Sequence, residues 1–259
     1  MSERLVFITG ASSGIGQALA WRYHQAGWRL ALSARRGAAI EQWARERGIP
    51  GERYAIHEAD VTRIDSIVGA GEACIARQGL PDVVIANAGI SSGMDSAERE
   101  DLDVMARTFA TNNVGLAATF HPFVRAMTQR RAGTLVGIAS VAGIRGLPGQ
   151  GAYCASKAAA IAYCESLRGE LRASGVRVVT ICPGYIATPM TAANRFPMPF
   201  LMRAEDFADR AWRAIEGGAS YRVIPWQMAI VARLLRALPN PVLDRAFAGA
   251  PRKRRQGER

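Results

Sequence analysis

Residues 5–26 read LVFITGASSGIGQALAWRYHQA and join a short apolar run, a glycine-rich turn and a helical pattern. The apolar run contains β-branched residues and predicts a buried strand, whereas the pattern at residues 14–26 predicts a helix. Gly10, Gly14 and Gly16 remove side chains where backbone must approach a ligand, and N–H groups at a helix N-terminus favour an anion such as pyrophosphate. The stretch therefore predicts a phosphate-binding turn, with a purely structural turn as the alternative.

The spacing of this turn separates it from two other motifs. It reads G-x-x-x-G-x-G rather than G-x-G-x-x-G, and no Gly-Lys-Ser/Thr of a P-loop follows. Residues 10–14 also spell G-x-S-x-G around Ser12, the pattern of a hydrolase nucleophile elbow. Such an elbow follows earlier strands and its triad runs Ser, acid, His, but Ser12 follows the first predicted strand and the last histidine is His121. We therefore disfavour a hydrolase.

The rest of the chain repeats the alternation of strand and helix. Apolar strand patterns lie at residues 28–34, 53–59, 82–86, 133–140, 176–182 and 221–225, and helical patterns at 64–78, 98–130, 151–174 and 205–217. Alternating strands and helices pair in parallel through right-handed crossovers. We predict an α/β fold with a doubly wound, seven-stranded parallel sheet, formed by one domain at residues 1–225 and followed by an extension at 226–259.

Composition indicates a globular protein. Of the 259 residues, 49% are hydrophobic and 21% charged, which excludes a disordered chain, and no apolar run reaches the ~20 residues that span a bilayer. The N-terminus predicts a first strand rather than a signal peptide. The four cysteines show no CxxC or metal-ligand spacing, so we expect free thiols in a reducing cytoplasm and no metal site. They are Cys74, Cys154, Cys164 and Cys182.

The positive charge is concentrated at the C-terminus. Residues 226–259 carry eight basic and two acidic side chains, more than half of the net charge of +11. No aromatic-interleaved basic stripe accompanies it, so we do not expect nucleic acid as a partner. Of the 33 basic residues only Lys157 and Lys253 are lysines.

Polar residues follow several predicted strands. Asp60, Asn87 and Ser140 each stand at or just beyond a strand, and the carboxyl ends of parallel strands meet at the edge where ligands bind. The second strand ends at Arg35 and Arg36, with no acidic residue along it. Arginine at this point accommodates the 2′-phosphate of NADP, whereas an acid binds the ribose 2′-OH of NAD. The pattern predicts NADP(H) in preference to NAD(H), with two merely solvated arginines as the alternative.

The helix predicted at 151–174 places Tyr153 and Lys157 four positions apart, on one face. An ammonium beside a phenol lowers the phenol pKa and makes it useful in proton transfer near neutrality. An incidental pair is the alternative. In the helical region before it, the run from Asn112 to Gly115 contains poor helix-interior residues, so we expect a local distortion there.

Together these motifs resemble the classical short-chain dehydrogenases/reductases, from residue 4 to about residue 225. The matching features, in the family's order, are TGASSGIG at 9–16, NAG at 87–89, Asn112 before Gly115, Ser140, Tyr153 with Lys157, and Pro183-Gly184 with Thr188. The resemblance implies a Rossmann-type sheet and an NAD(P)-dependent enzyme acting on CH–OH or C=O groups.

The resemblance also implies catalytic roles. Tyr153 protonates the carbonyl oxygen during reduction, Lys157 lowers the pKa of that phenol and holds the nicotinamide ribose, and Ser140 hydrogen-bonds the substrate oxygen. Asn112 holds a water in a proton relay through Lys157. Asn113 is a conceivable substitute, but the Asn-x-x-Gly spacing selects Asn112.

Further residues are implied to contact the cofactor. They are Gly10, Ser12, Ser13, Gly14, Ile15 and Gly16 around the pyrophosphate, Arg35 and Arg36 at the adenosine ribose, Asp60 and Val61 at the adenine, Asn87, Ala88 and Gly89 on the adenosine side, and Pro183, Gly184, Ile186 and Thr188, the last at the carboxamide, besides Tyr153 and Lys157. Many NADP-preferring relatives carry a basic residue where this chain has Ser13, so the predicted preference depends on Arg35 and Arg36.

Residues 188–206, TPMTAANRFPMPFLMRAED, mix prolines with Met and Phe at no clean period. This composition predicts a mobile lid over an apolar pocket, with an irregular core-covering loop as the alternative. The other pocket candidates are residues 91–94, Leu147, Tyr185 and Met190. They indicate an apolar small-molecule substrate without identifying it.

The extension begins with an apolar helical pattern at 226–238 and ends with a basic tail. We expect the helix to pack on its own domain or a partner subunit and the tail to be disordered; peripheral contact with an anionic membrane is the alternative. The resemblance implies a homo-oligomer, dimer or tetramer, formed through helices 98–130 and 151–174. The leading function is an NADP(H)-dependent carbonyl reductase or alcohol dehydrogenase. The alternatives are a catalytically weak cofactor-binding scaffold or sensor, and a membrane-surface reductase of lipid or acyl-chain carbonyls.

Overall fold

Nine strands are present in the structure, a computed structural model that describes residues 3–192, 194, 196–249, 252, 253 and 255. They are Leu5–Thr9 (β1), Arg29–Ala34 (β2), Tyr54–Glu58 (β3), Val83–Ala86 (β4), Gly133–Ile138 (β5), Val176–Pro183 (β6), Ile186–Ala187 (β7), Met202–Arg203 (β8) and Tyr221–Ile224 (β9). Seven of them form one parallel sheet in the order β3-β2-β1-β4-β5-β6-β9, and β7 pairs with β8 beside it. The predicted seven-stranded, doubly wound parallel sheet is confirmed.

Ten helices connect and flank these strands. They are Gly14–Gln25 (α1), Gly37–Glu46 (α2), Ile64–Gln78 (α3), Asp101–Phe109 (α4), Gly115–Arg130 (α5), Gly151–Glu170 (α6), Pro189–Ala192 (α7), Ala204–Glu216 (α8), Trp226–Ala237 (α9) and Asn240–Phe247 (α10). One turn of π-helix, Ala110–Val114, joins α4 to α5. The distortion predicted around Asn112 is confirmed.

The sheet is buried on both faces because alternate strand residues point to opposite sides. In β1, Val6 and Ile8 belong to a core shared with α1, α2 and α8. Leu5 and Phe7 belong to a second core shared with α3, α5 and α6. All five β1 residues are buried, which explains why this strand is apolar without alternation.

Three helices were not predicted, α2, α7 and α10. The first backbone N–H of α2, at Gly37, donates 2.9 Å to Glu58 Oε1, so a side chain from another strand fixes where this helix begins. α10 begins between Pro239 and Pro241, which interrupt the sequence pattern. Proline is tolerated in a first turn, where its missing N–H has no helical partner.

The extension packs on its own domain, as expected for its helix. Met228 and Ala232 of α9 are buried in the core. The expectation of a disordered tail is wrong for the part that is described, since Arg255 Nε donates 2.7 Å to Asp101 Oδ2. Residues 250, 251, 254 and 256–259 of the tail, and 193 and 195 of the predicted lid, lie outside the described residues.

All four cysteines are buried free thiols, as predicted. None of the helices in the described part of the chain has the length and apolar character that crossing a bilayer requires.

Candidate active site

The glycine turn after β1 packs directly against the chain that leaves β4. A Cβ on Gly10 would lie 2.9 Å from the Cα of Ala88, and a Cβ on Gly16 would collide with the carbonyl oxygen of Gly10. Asn87 Nδ2 donates 2.9 Å to Thr9 O and ties the two strand ends together. Glycine is therefore needed at residues 10 and 16 for close backbone approach.

The N-terminus of α1 is open to an anion. Ser13 precedes the helix and makes no capping hydrogen bond with its side chain in the described structure, and the first turn contains no acidic residue. The first N–H groups of a helix lack intrahelical acceptors and carry the positive end of the helix dipole. A phosphate or pyrophosphate fits this position.

A cavity of about 270 Å³, which we name the sheet-edge groove, runs past this turn along the carboxyl ends of the strands. The predicted site residues that line it are Gly10, Ser12, Ser13, Gly14, Ile15, Arg35, Arg36, Asp60, Val61, Asn87, Ala88, Gly89, Ser140, Tyr153, Lys157, Pro183, Gly184, Ile186 and Thr188. Gly16 and Asn112 do not line the groove. Gly16 packs against the backbone of Gly10, and Asn112 holds the loop after β4.

One end of the groove is basic. Arg35 and Arg36 are exposed and follow β2. Asp60 Oδ1 accepts a hydrogen bond of 3.0 Å from Thr62 N. That hydrogen bond is the main cause of the lowered pKa of Asp60, and the charge of Arg35 adds to it. Two guanidinium groups at this end suit a phosphate group.

The other end of the groove carries hydroxyls and an ammonium. Ser140 follows β5, three strand positions from β2 in the sheet, which is roughly 14 Å. Uncapped N–H groups between a basic end and a polar end fit a dinucleotide lying across the strand ends.

Tyr153 and Ser140 bring two hydroxyl groups to this end of the groove. Tyr153 lies in the first turn of α6, and Ser140 Oγ accepts 3.1 Å from Ala142 N at the start of the turn Val141–Gly143. Burial raises the pKa of Tyr153 to about 12, and the hydrogen bond from Ser140 offsets only part of that rise. The phenol is therefore fully protonated near neutrality.

Lys157 is buried next to this pair with 5% of its surface exposed. Its Nζ donates 2.8 Å to Ile138 O and lies 5.8 Å from the ring centroid of Tyr153. Burial lowers the pKa of Lys157 to about 8. The low pKa expected for Tyr153 is not reached, because desolvation outweighs the nearby charges at the phenol; the lowering by Lys157 stays a prediction.

Asn112, in the π-helical turn, is fully buried and clamps the loop after β4. Its Oδ1 accepts 2.9 Å from Ile90 N, and its Nδ2 donates 3.0 Å to Ile90 O and 2.9 Å to Ser156 Oγ. Both amide N–H donors are used, and one lone pair on Oδ1 is left for a water. Asn113 instead donates 2.8 Å to Ser156 O on α6.

A second cavity, of about 350 Å³, opens on the same hydroxyls, and we name it the apolar cavity. It shares Ser140, Tyr153, Gly184, Met190 and Thr191 with the sheet-edge groove. A substrate oxygen placed between the two spaces would meet the hydroxyls of Ser140 and Tyr153. The arrangement thus suits proton transfer to or from an oxygen.

The predicted pocket residues have mixed outcomes. Ser91, Leu147, Tyr185 and Met190 line the apolar cavity. Met94 instead is buried beside α6, where its Sδ accepts 3.1 Å from Ala152 N.

Part of the wall of the apolar cavity was not predicted from the sequence. The missed residues include Arg145, Met228, Val231, Ala232, Leu235, Phe247 and Lys253. Most come from the extension, which was predicted to be separate from the catalytic domain. The available signal was Lys253, one of only two lysines in the chain.

Comparisons with known proteins agree with this geometry. A family model described as short chain dehydrogenase matches residues 4–197. An uncharacterized oxidoreductase of Myxococcus xanthus (strain DK1622) is 39% identical over 246 residues, which are 95% of this chain and 97% of the relative.

Solved structures have the same fold. An alcohol dehydrogenase from the archaeon Thermococcus sibiricus, complexed with 5-hydroxy-NADP, has a TM-score of 0.77 and 25% identity and covers 86% of this chain and 96% of its own. A 3-ketoacyl-(acyl-carrier-protein) reductase from Brucella melitensis, complexed with NADH, has a TM-score of 0.75 and 24% identity over 85% of this chain and 96% of its own.

Proposed function

Because the chain belongs to the short-chain dehydrogenase/reductase family of oxidoreductases, we propose that it interconverts a carbonyl and an alcohol on an apolar small molecule with NADP(H). One observation carries the proposal: Ser140 and Tyr153 line both the sheet-edge groove and the apolar cavity. Their hydroxyls thus face the space that fits a dinucleotide and the space that fits an apolar substrate.

One of the site residues would transfer a proton, and the others would bind the substrate, the cofactor or a water. A nicotinamide cofactor bound in the groove would supply or accept the hydride. Tyr153 would donate its proton to the carbonyl oxygen in reduction and take it back in oxidation, and Ser140 would donate a hydrogen bond to the same oxygen. Lys157 would hold the nicotinamide ribose with its ammonium. Asn112 would keep the loop after β4 in place and hold the relay water on its remaining lone pair.

A panel of apolar ketones and aldehydes with NADPH, followed by the loss of NADPH absorbance, tests the proposal. We expect turnover of several panel members. A chain that binds NADPH by fluorescence titration but reduces nothing in the panel, and oxidises none of the matching alcohols with NADP, is the scaffold or sensor of the alternative reading.

Preference for NADP(H) is proposed from Arg35 and Arg36. Replacing Arg35 by Ala is expected to raise the Kd of NADPH about 10-fold to 100-fold, since a charge-assisted hydrogen bond contributes ~1.5–3 kcal/mol. Arg36→Ala should act in the same direction. The Kd of NADH should change by less than about twofold, because NADH lacks the 2′-phosphate. Fluorescence titration measures both constants.

Arg45→Ala is the matched control for these variants. Arg45 is an exposed arginine on α2 that pairs with Glu41 and lies outside the lining of the groove. Its loss should leave both cofactor affinities as they are. Equal weakening of NADPH and NADH binding by Arg35→Ala would refute the 2′-phosphate assignment.

We also propose a homo-oligomer, dimer or tetramer. The region from α4 to α6 exposes apolar side chains, with Leu102 at 50% and Val114 at 46% exposure, and Tyr163 adds an aromatic ring. Apolar patches of this kind are commonly covered by a symmetry mate. Light scattering should give a multiple of 27.9 kDa, and a single chain mass would contradict the proposal.

The exposed side of α9 is the surface that would contact a membrane in the membrane-surface alternative. Trp226, Ile230 and Leu234 are exposed on that helix, at 63%, 48% and 63%. We propose a cytoplasmic location and a partner subunit over this side, since the chain also holds four buried free thiols. Co-sedimentation with anionic vesicles at low salt would favour the membrane instead.

A further inference from the structure

The described part of the basic tail is held against an acidic segment that leads into the first residue of α4. Arg255 donates 2.7 Å to Asp101, whose side chain is only 4% exposed, and lies 3.6 Å from Glu98. Arg252 lies 3.6 Å from Asp95. The hydrogen bond from Arg255 is the main cause of the lowered pKa of Asp101. The tail is thus fixed on both sides of residue 253.

Lys253 points from this tail into the apolar cavity. Its Nζ donates 2.8 Å to Ser91 Oγ, and the side chain is partly buried. No carboxylate of the described residues lies within 4.0 Å of that ammonium. Among the described residues, nothing else accepts from the other two N–H donors of Lys253 or from the O–H of Ser91, so these three donors are left to bind a ligand.

The charges around the apolar cavity are one-sided. Among the described residues that line it, Arg145 and Lys253 are cationic and none is acidic. Arg145 is anchored outside the cavity, because its Nη2 donates 2.8 Å to Asn240 Oδ1 and 3.4 Å to Leu238 O. The hydrogen bond of Lys253, in contrast, goes to Ser91 in the wall of the same cavity. A partly buried ammonium without a counter-ion is unfavourable, and an anion bound there would compensate it.

We propose that Lys253, together with Ser91, binds a carboxylate of the substrate, so that the chain prefers apolar oxo-acids or hydroxy-acids to neutral carbonyl compounds and alcohols. The ammonium and the hydroxyl, 2.8 Å apart, offer donors to the two oxygens of one carboxylate. The remaining apolar wall takes the hydrocarbon chain. This inference rests on the proposed function for its reaction and on the cavity alone for its binding group.

The first experiment measures binding without turnover. Calorimetry on the full chain loaded with NADPH compares nonanoate with nonanamide, which has the same chain and no charge. Wild type should bind nonanoate at least about tenfold more tightly, and Lys253→Met should bring the two affinities together. Arg245→Met, which removes an exposed cation of α10 outside the lining of the cavity, should keep the preference.

The second experiment measures selectivity in turnover. Medium-chain oxo-carboxylates with the ketone at different positions are compared with their methyl esters, using NADPH. The best acid should exceed its ester about tenfold in kcat/KM, and Lys253→Met should remove this ratio while Lys253→Arg keeps part of it. Equal values for acids and esters in wild type, or equal loss of preference in Arg245→Met and Lys253→Met, would overturn the inference. Selective binding of nonanoate without any turnover would uphold the carboxylate site and refute the proposed reaction.

Discussion

Tyr153→Phe is expected to lower kcat for carbonyl reduction by about 1,000-fold or more, a loss of ~4 kcal/mol of transition-state stabilisation. The substitution removes the O–H that is proposed to protonate the substrate oxygen and keeps the aromatic ring. Because the ring still fills its place in the first turn of α6, the Kd of NADPH should change by less than about threefold. Steady-state kinetics and fluorescence titration measure the two quantities on the same preparation.

Tyr163→Phe is the matched control, since Tyr163 lies on the same helix and 37% of its surface is exposed. Tyr163→Phe removes a phenol hydroxyl that lies outside the site, so the kcat of this variant should match that of wild type. If Tyr153→Phe retains a tenth or more of the wild-type rate, another group protonates the substrate and the proposed mechanism fails.

The fold was largely predictable because its signals are local. β1 is apolar at all five positions, and each later strand is separated from it by a helical pattern, so parallel pairing follows. α2 was missed although Ile40, Trp43 and Ala44 have helical spacing. Its start depends on the contact from Gly37 to Glu58, which no local pattern contains.

The sheet-edge groove was predictable for a similar reason. Asp60, Asn87 and Ser140 follow strands, and all parallel strands end at the same edge. Lys253 reaches the site only because Arg252 and Arg255 find acidic partners more than 150 positions away in the chain. Such docking depends on tertiary structure, and the rarity of lysine was its only trace in the sequence.

The proton affinity of the site was not predictable either. The spacing of Tyr153 and Lys157 indicates attraction between an ammonium and a phenolate, and this favours a low pKa. The cost of burying each charge is a property of the folded chain, and here it dominates at both residues. Of the two groups, only Lys157 therefore has a pKa near neutrality.

This difference between the two residues predicts the pH dependence of reduction. We expect kcat/KM for a carbonyl substrate to be flat below about pH 8 and to fall as pH rises through the pKa of Lys157, about 8. That pKa is lowered from its usual 10.5, so the ammonium is present below 8 and lost above it. In the proposed mechanism the ammonium is the form that would hold the ribose and stabilise negative charge on the reacting oxygen. Tyr153, with a pKa of about 12, remains an acid throughout.

The groups that face Lys157 do not compete for this assignment. They are Tyr153 and Cys164 on its own helix and Cys182 on β6, and burial raises the pKa of Cys164 to about 12 and that of Cys182 to about 11. All three stay neutral between about pH 6 and pH 10, because each pKa lies above that range. A fall in rate near pH 8 therefore belongs to Lys157.

Replacing Lys157 by Met should lower kcat/KM about 100-fold at neutral pH, the scale of a lost charge in a dry site, and should remove the fall near pH 8. Lys157→Arg should also remove that fall, because a guanidinium stays charged above pH 12, while its bulk misplaces the charge. A pH–rate profile of the three proteins from about pH 6 to pH 10 separates the effects of charge and position. If the fall near pH 8 persists in Lys157→Met, a group other than Lys157 titrates in the reaction, and the buried ammonium is not the charge that the transition state requires.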